Sequence, residues 1–502
     1  MWLKGNRLSS SWQSSTNGDD VGPSFYVSDY AAYAPTGSKP QSIEDVWISG
    51  VSTDSHGKAS MSIGGGAFLP AVSATITIAS GVATVTVPSG TQIWPGHLVE
   101  VLGATSLTGV NDRWWVSARP TATTFTLKVG PDVADGTPTG TITVRRHTGF
   151  HKNINIDDCD FSDRNVGSAI DIRADATMFD PHIVSLNIRR CKPPRNGPLF
   201  FLVGKNNSLA IVETLNIERN GRDIMESGGL GGIVYLSSSP SADIARINHL
   251  TIKDWNLESS KTQYVGNYCR LLATANNAVR RITLRDILCR NLEELIVLGA
   301  GSGTKPVIEV QNVRGVGTVL ITSYIGYTLV NLGNFGSESG NATEIQNVGA
   351  AAIIIEGKVP KNRSFSRYRA TDYSKLVLAA GCVNDGVMDW GAQAGTLTGL
   401  THQIARLHNV TVAGAVVVPF TITNVDGRAT AETGTKLTFL FTSDATPGRS
   451  ISFNAGYIVS AATITACTAG TLPVSKYGRI DFECMYIVGN AKWIETAPLT
   501  WI

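Results

Sequence analysis

The chain has 502 residues, 16% of them charged, with 51 glycines and a formal net charge of +2. With so small a net charge, no block of like charges and no basic stripe interleaved with aromatics, neither nucleic acid nor an anionic membrane is an expected partner. No secretory leader and no run of 18 apolar residues is seen, so membrane insertion is not expected, and seven cysteines without C-x-x-C spacing argue against a disulfide framework, a metal site or a cofactor.

A short alternating pattern recurs along the chain. It reads "VWISGV" at 46, "INIDDCDF" at 154, "LNIRRCK" at 186, "LNIERNG" at 215, "LTIKDWNL" at 250 and "ITLRDILC" at 282, and it continues at 308, 329 and 353. "MWLKG" at the N-terminus lays over "VWISG" at 46. Residue 1 is therefore expected to fall inside a repeat, in a truncated or processed form that an N-terminal domain normally precedes. A second pattern follows most copies: "SMSIG", "AIDIR", "FFLVG", "IVYLS", "RLLAT", "LIVLG" and "TVLIT". Two short alternating segments per repeat, bounded by Gly, Asn, Asp and Ser, predict a parallel β-helix. In such a stack each turn lies one strand spacing, ~4.8 Å, above the last. Ile154, Leu186, Leu215, Leu250, Ile282 and Ile308 then form one inward column, and Ile156, Ile188, Ile217, Ile252, Leu284 and Val310 the next. Cys159 and Cys191 share a column as stacked buried thiols, which fits assembly in a reducing cytoplasm.

The predicted order is first β-helix rungs over 1–65, an inserted antiparallel β-domain over 66–148, the main parallel β-helix over 149–360, a transition over 361–405 and a C-terminal β-sandwich over 406–502. In the insert, Trp114 and Trp115 are either core of that domain or a sugar-stacking platform. The sandwich strands include "KLTFLFTS", "SISFNAGYIVS", "ATITACTAGTLPVS" and "RIDFECMYIVGNAKWIE". The fold class is thus all-β: a right-handed parallel β-helix with an inserted small β-domain and a C-terminal β-sandwich.

This combination resembles bacteriophage tailspike and tail-fibre proteins with a pectate-lyase-like β-helix. "GTKLTFLFTSDATPGRSISF" and "GRIDFECMYIVGNAKWIE" are similar to the terminal sandwich of many tail fibres. "TITIASGVATVTVPSGTQIWPGHLVEVLGA" looks like small modules of tail and baseplate chains. The resemblance implies a homotrimer in the virion tail, assembled in the host cytoplasm and attached through an upstream domain or other tail proteins. It also implies binding, and in many relatives cleavage, of a bacterial surface polysaccharide (O-antigen, capsule or exopolysaccharide). The second strands are apolar on both faces: beside the expected inward residues Phe201, Val234, Leu236 and Leu271 stand Phe200, Tyr235 and Leu272. Such faces are covered either by a neighbouring subunit or by the chain's own loops.

The outward face of the first strand is polar. It carries Asn155 and Asp157, then Asn187 and Arg189, then Asn216 and Glu218, and suits either a glycan or plain solvation with cross-rung pairing. Glycoside hydrolysis needs two carboxylates. Asp157 and Glu218 share a column two rungs apart, ~9.6 Å, near the inverting separation, with Arg189 between them as an anion holder or as the pairing cation. A second cluster lies in the longest turns. It comprises Asp223, Glu226, Asp254 and Glu258, with Trp255, Tyr264 and Tyr268 as sugar-stacking rings, and Asp286 one rung above Asp254. If buried, Asp254 and Asp286 would share a proton, as a general acid needs. A lyase would instead use Lys253, Arg281 and Arg285 against a uronate. Hydrolysis is the favoured expectation, with adhesion alone as the alternative.

Overall fold

The computed structural model describes residues 2–4, 7–8, 25–29, 41–53, 59–66, 68–162, 168–173, 180–194, 197–204, 209–225, 233–238, 244–259, 270–274, 279–290, 294–299, 306–316, 319–323, 327–337, 344–347, 353–356, 367–370, 376–378, 387–397, 407–419, 436–443, 449–468, 472, 477–487 and 490–501. The fold is nearly all β, a β-solenoid of about five turns with a β-sheet domain at its C-terminal end. Two compact units divide it. One holds Met1–Lys192, Leu199–Asn216 and Leu236–Asn248; the other holds Pro193–Pro198, Ile217–Tyr235 and His249–Ile502.

In the first unit, strands Trp2–Lys4, Gln41–Ser49, Gly149–Asp157 and His182–Arg189 stack in parallel in that order. Trp2 lies opposite Trp47 and Leu3 opposite Ile48, the register expected from the repeated "W-apolar" motif. Val46, Ile154 and Leu186 form one column, and Ile48, Ile156 and Ile188 the next. All six are at most 1% exposed. Each buried aliphatic is worth ~1.5–3 kcal/mol, so the stack is where these rungs get their cohesion. In the second unit, Ile282 pairs with Ile308 and Leu284 with Val310, and all four are buried.

The second sheet corrects one reading. Phe200, not Phe201, stacks on Ile170 and Met61 and points inward, while Phe201 aligns with Asp171. With two phenylalanines side by side, alternation alone does not fix the phase of the strand. The parallel pairing also runs past residue 360: Arg367–Ala370 pairs with Glu344–Asn347 and with Val387–Thr396, and Leu376–Leu378 pairs with Ile353–Glu356.

Among the described residues, seven of the first strands contain, or are followed by, a residue with left-handed backbone. Gly50, Asp158, Arg190, Asp254, Asp286 and Asn312 stand two positions after an inward aliphatic, with φ between 51° and 64°. Asn220, at 49°, stands three positions after Ile217. This conformation crowds a Cβ against the following carbonyl, and Gly, Asn and Asp tolerate it best.

Between the first two long rungs, the insert forms a seven-stranded antiparallel sheet. Its order is Val72–Ser73, Gly140–Arg146, Leu98–Ala104, Arg113–Ala118, Thr124–Lys128, Val82–Thr86 and Thr75–Ala79. Ser80 and Gly81, both left-handed, make the two-residue hairpin that the strand twist favours. Ile76, Val85, Val99, Val101, Phe125, Leu127 and Val144 fill its core. Trp114 packs against that core and donates to the Val110 carbonyl at 2.9 Å. Trp115 donates to Glu213 at 2.8 Å and meets Phe150 edge-on. Both indoles are thus engaged by the protein.

At the C-terminal end, Leu407–Val418 pairs in parallel with Lys436–Ser443 and Ser450–Phe453, whereas Tyr477–Ile487 joins Lys436–Ser443 and Asn490–Trp501 antiparallel. Phe439, Phe441, Phe453, Tyr457 and Phe482 form its aromatic core. One expected strand begins as a helix instead: Ala461–Ala466, which takes in the start of "ATITACTAG". Ser460 caps it by accepting from the Thr463 amide, and that cap outweighs the β-preference of Thr and Ile.

Candidate functional site

On the outward face of the first unit, the polar side chains answer one another. Asn187 Nδ2 donates to Asn155 Oδ1 at 3.0 Å, and Asn216 Nδ2 to Asn187 Oδ1 at 2.9 Å. Arg189 grips Asp157 with two bonds, 2.7 and 2.8 Å, and Arg190 grips Asp158 with the same two lengths. Lys192 reaches Asp160 at 2.6 Å. The charged trio of one rung thus faces the opposite trio of the next. The Arg190 guanidinium holds the Asp158 carboxyl below its usual range. For Asp160, burial pulls upward, but Lys192 and Ser162 prevail and the group also sits low. The two exposed pairs, Arg190–Asp158 and Lys192–Asp160, are worth ~0–1 kcal/mol each.

Asp157 and Glu218 fall in different units, and each has its own cation. Asp157 takes Arg189, while Glu218 takes Lys253 at 2.8 Å and accepts from Asn220 at 3.0 Å.

The second unit holds an open groove of about 570 Å³. Four left-handed corners, Asn220, Asp254, Asp286 and Asn312, line it together with Arg222, Asn256 and Arg314. Ile244–Ser259 and Val279–Arg290 are neighbouring strands, which sets the two Asp corners one rung apart, ~4.8 Å. Asp286 accepts from Asn312 Nδ2 at 2.7 Å and from Arg285 Nε at 3.1 Å. Asp254 has Lys253 Nζ at 3.8 Å. Their side chains are 34% and 38% exposed, so the burial on which proton sharing was expected to rest is not there.

Of the remaining cluster, Glu258 is paired with Arg222. Trp255 is 2% exposed and donates to Asp223 at 2.9 Å, so its ring is held inside rather than presented to a sugar. Asp223 in turn takes two bonds from Arg219, at 2.8 and 3.1 Å. Tyr264, Tyr268 and Glu226 lie outside the described residues. Asn220, Arg222, Asn256, Asn312 and Arg314 did not stand out in the sequence. The signal for Asn312 was available: an Asn, Asp or Gly stands two places after the inward aliphatic in the rungs of Ile48, Ile156, Ile252 and Leu284. Chemically, the groove offers carboxylate acceptors, amides and guanidinium donors along an extended open trough.

No protein-family model matches the chain, and no curated protein matches it either. The solved structures that match include two tailspikes. The tailspike protein gp49 of Pseudomonas phage LKA1 is 10% identical over 81% of this chain and 80% of its own, with a TM-score of 0.29. The Gp54 tailspike of Acinetobacter baumannii bacteriophage AP22, solved in complex with A. baumannii capsular saccharide, is 8% identical over 98% of this chain and 82% of its own, with a TM-score of 0.32. Likeness of this degree adds no weight to the site, which stands on the chain's own strand pairing and groove.

Proposed function

We propose that this chain is a phage tail component that binds a bacterial surface polysaccharide in the corner groove and hydrolyses it there. The groove carries the reading: an open trough with two carboxylates one rung apart, flanked by amides and guanidinium groups. A polymer of hydroxylated rings needs acceptors and donors in just such an extended row. The resemblance of the C-terminal motifs to tail fibres supports the same setting, in which the chain acts as a homotrimer in the virion tail. The rung spacing, ~4.8 Å, lies close to the ~5–5.5 Å at which retaining glycosidases hold their carboxyl groups. In this scheme Asp286, oriented by Asn312 and Arg285, attacks the anomeric carbon. Asp254, its carboxyl covered by the bound glycan, gives a proton to the departing glycosidic oxygen and then takes one from the water whose oxygen displaces Asp286 from the anomeric carbon.

One observation favours a second reading, adhesion without cleavage. The corner conformation selects Asp and Asn on backbone grounds alone, as at Asp158 and Asn220, so two Asp corners need no catalytic reason. The lyase reading draws less support, because Lys253 is engaged by Glu218 and Arg281 by Glu309. The test is incubation of the protein with polysaccharide extracted from candidate hosts. New reducing ends without an unsaturated uronate band support hydrolysis, and a rise in that band moves the reading to a lyase. Binding with no fragments, on the glycan of a host that the parent phage infects, overturns the enzyme.

A further inference from the structure

The inserted sheet is fastened to the first rungs by a buried polar seam. Arg113, with no exposed side-chain surface, reaches Asp180 at 3.1 Å and Glu100 at 3.4 Å. Arg145 takes the other oxygen of Glu100, and Arg246 grips Asp112 with bonds of 2.6 and 2.9 Å. Two buried histidines lie in the seam. His182 Nε2 contacts Glu213 Oε1 at 2.7 Å, the oxygen that also accepts from Trp115. His147 Nε2 contacts the Asp180 carbonyl oxygen at 2.7 Å. A carboxylate and a carbonyl only accept, so both rings carry their proton on Nε2. Both Nδ1 atoms are buried and have no hydrogen-bond partner. Gly66 allows this packing: a Cβ there would fall 2.2 Å from His147 Cε1.

We propose that this seam is an acid-released latch, in which protonation of His147 and His182 undocks the inserted sheet while both halves keep their cores. The second proton must enter at Nδ1, which has no hydrogen-bond partner among the described residues. It also arrives among cations. His182 faces Arg113 of strand Arg113–Ala118 and Arg246 of strand Ile244–Ser259, against Glu213 of strand Leu209–Met225. His147 faces Arg113, His182 and the carbonyls of Asp180 and Gly149, with no carboxylate on its ring among the described residues. The carboxylates of Glu100, Asp180 and Asp112 are engaged by arginines.

Burial holds His147 well below the ordinary histidine value, with Arg113 adding to it, and burial lowers His182 as well. A depressed folded value means that the seam is at full strength above about pH 6.5, the ordinary value, and weakens as pH falls toward the folded values. For Glu213, burial pulls upward, but the His182 and Trp115 donors prevail and hold it low. Its contribution is therefore lost only below the carboxylate range, so the window from about pH 6.5 to 5 belongs to the histidines.

The test is hydroxyl-radical footprinting of the full chain at pH 7.5 and 5.0. Oxidation of Trp115 and Phe150, which face each other across the seam, is expected to rise about tenfold at pH 5.0, the size of one unit of differential protonation. Phe125 in the insert core and Phe161 in the solenoid core are expected to stay protected. The double variant His147→Gln/His182→Gln, which keeps an N–H donor but does not titrate, is expected to lose the acid response. Equal Trp115 oxidation at both pH values overturns the latch, as does exposure of Phe125 and Phe161 at the same pH, or an acid response in the double variant equal to that of the native chain. If the double variant does not fold, the native comparison with its two core references still decides.

Discussion

Two polar faces of one solenoid differ in where their hydrogen bonds go. On the first unit's strand face, Asn155, Asn187 and Asn216 pass an amide ladder from rung to rung, and Asp157, Asp158 and Asp160 meet Arg189, Arg190 and Lys192. That face is turned upon itself. In the second unit's groove, Asp254 and Asp286 have cations beside them, yet both line an open trough with a third or more of each side chain exposed. The same residue types therefore give cohesion in one place and a surface for a ligand in the other. What separates them is that the neighbouring rung presents a cation to each Asp of the first face, whereas in the groove Asp286 meets the Asn312 amide across the rung and the cations beside Asp254 and Asp286 come from their own strands.

The comparison breaks most visibly through the groove. Asp286→Asn and Asp254→Asn keep a residue that tolerates the left-handed corner, so stability is expected to change by at most about 0.5 kcal/mol. Glycan cleavage is expected to fall by roughly 10²–10⁴-fold, the usual weight of a positioned acid or base. Thermal melts paired with reducing-end release measure both, and unchanged cleavage in both variants would remove the carboxylate pair from the mechanism. The reverse is expected on the strand face. Asn187→Ala takes the middle amide from the ladder and is expected to cost about 1–3 kcal/mol, read by urea denaturation, with glycan binding as in the native chain. The smallest effect concerns Asp158 and Arg190. The folded value of Asp158 lies below its ordinary value, so the pair's stabilisation is present above about pH 4 and lost as pH falls through the folded value. Both side chains are about half exposed, so no more than about 1 kcal/mol is at stake. A double-mutant cycle with Asp158→Asn and Arg190→Gln at pH 7 and pH 3 measures it, with coupling expected only at pH 7.

The solenoid was legible because parallel stacking writes the same aliphatic positions into every turn. Ile154 over Leu186 and Ile156 over Ile188 could be read by laying "INIDDCD" on "LNIRRCK". That alignment already sets Asp, Asp and Asp against Arg, Arg and Lys, so Arg189 as the partner of Asp157 was also readable. Less legible was the fate of an outward polar residue, because a solvated face, a ladder and a binding groove draw on the same side chains. Trp255 shows the difficulty. Among charged residues of a long turn it reads as an exposed ring, yet Asp223 lies where its N–H can be satisfied from inside, and that neighbour comes from 32 residues away. Asp254 and Asp286 were found by type and column, but the backbone reason for their type shows only once the corner conformation is known. The helix at Ala461–Ala466 was missed because a single capping serine decided against the strand pattern of its residues.

The charged trios also bear on how the chain reaches its fold. A parallel rung closes over roughly thirty residues before its first contact is rewarded, and in that interval a late strand can dock one place out of step. A slip of one residue would turn the inward aliphatics outward. It would also leave one of the three ion pairs: Asp157 against Arg190, with Asp158 on Cys191 and Asp160 on Pro193, or Asp158 against Arg189, with Asp157 on Ile188 and Asp160 on Cys191. Each pair adds little to the finished molecule. Together they make misaligned docking short-lived, so the segment from Asp157 to Lys192 serves the growing stack as a proofreading key.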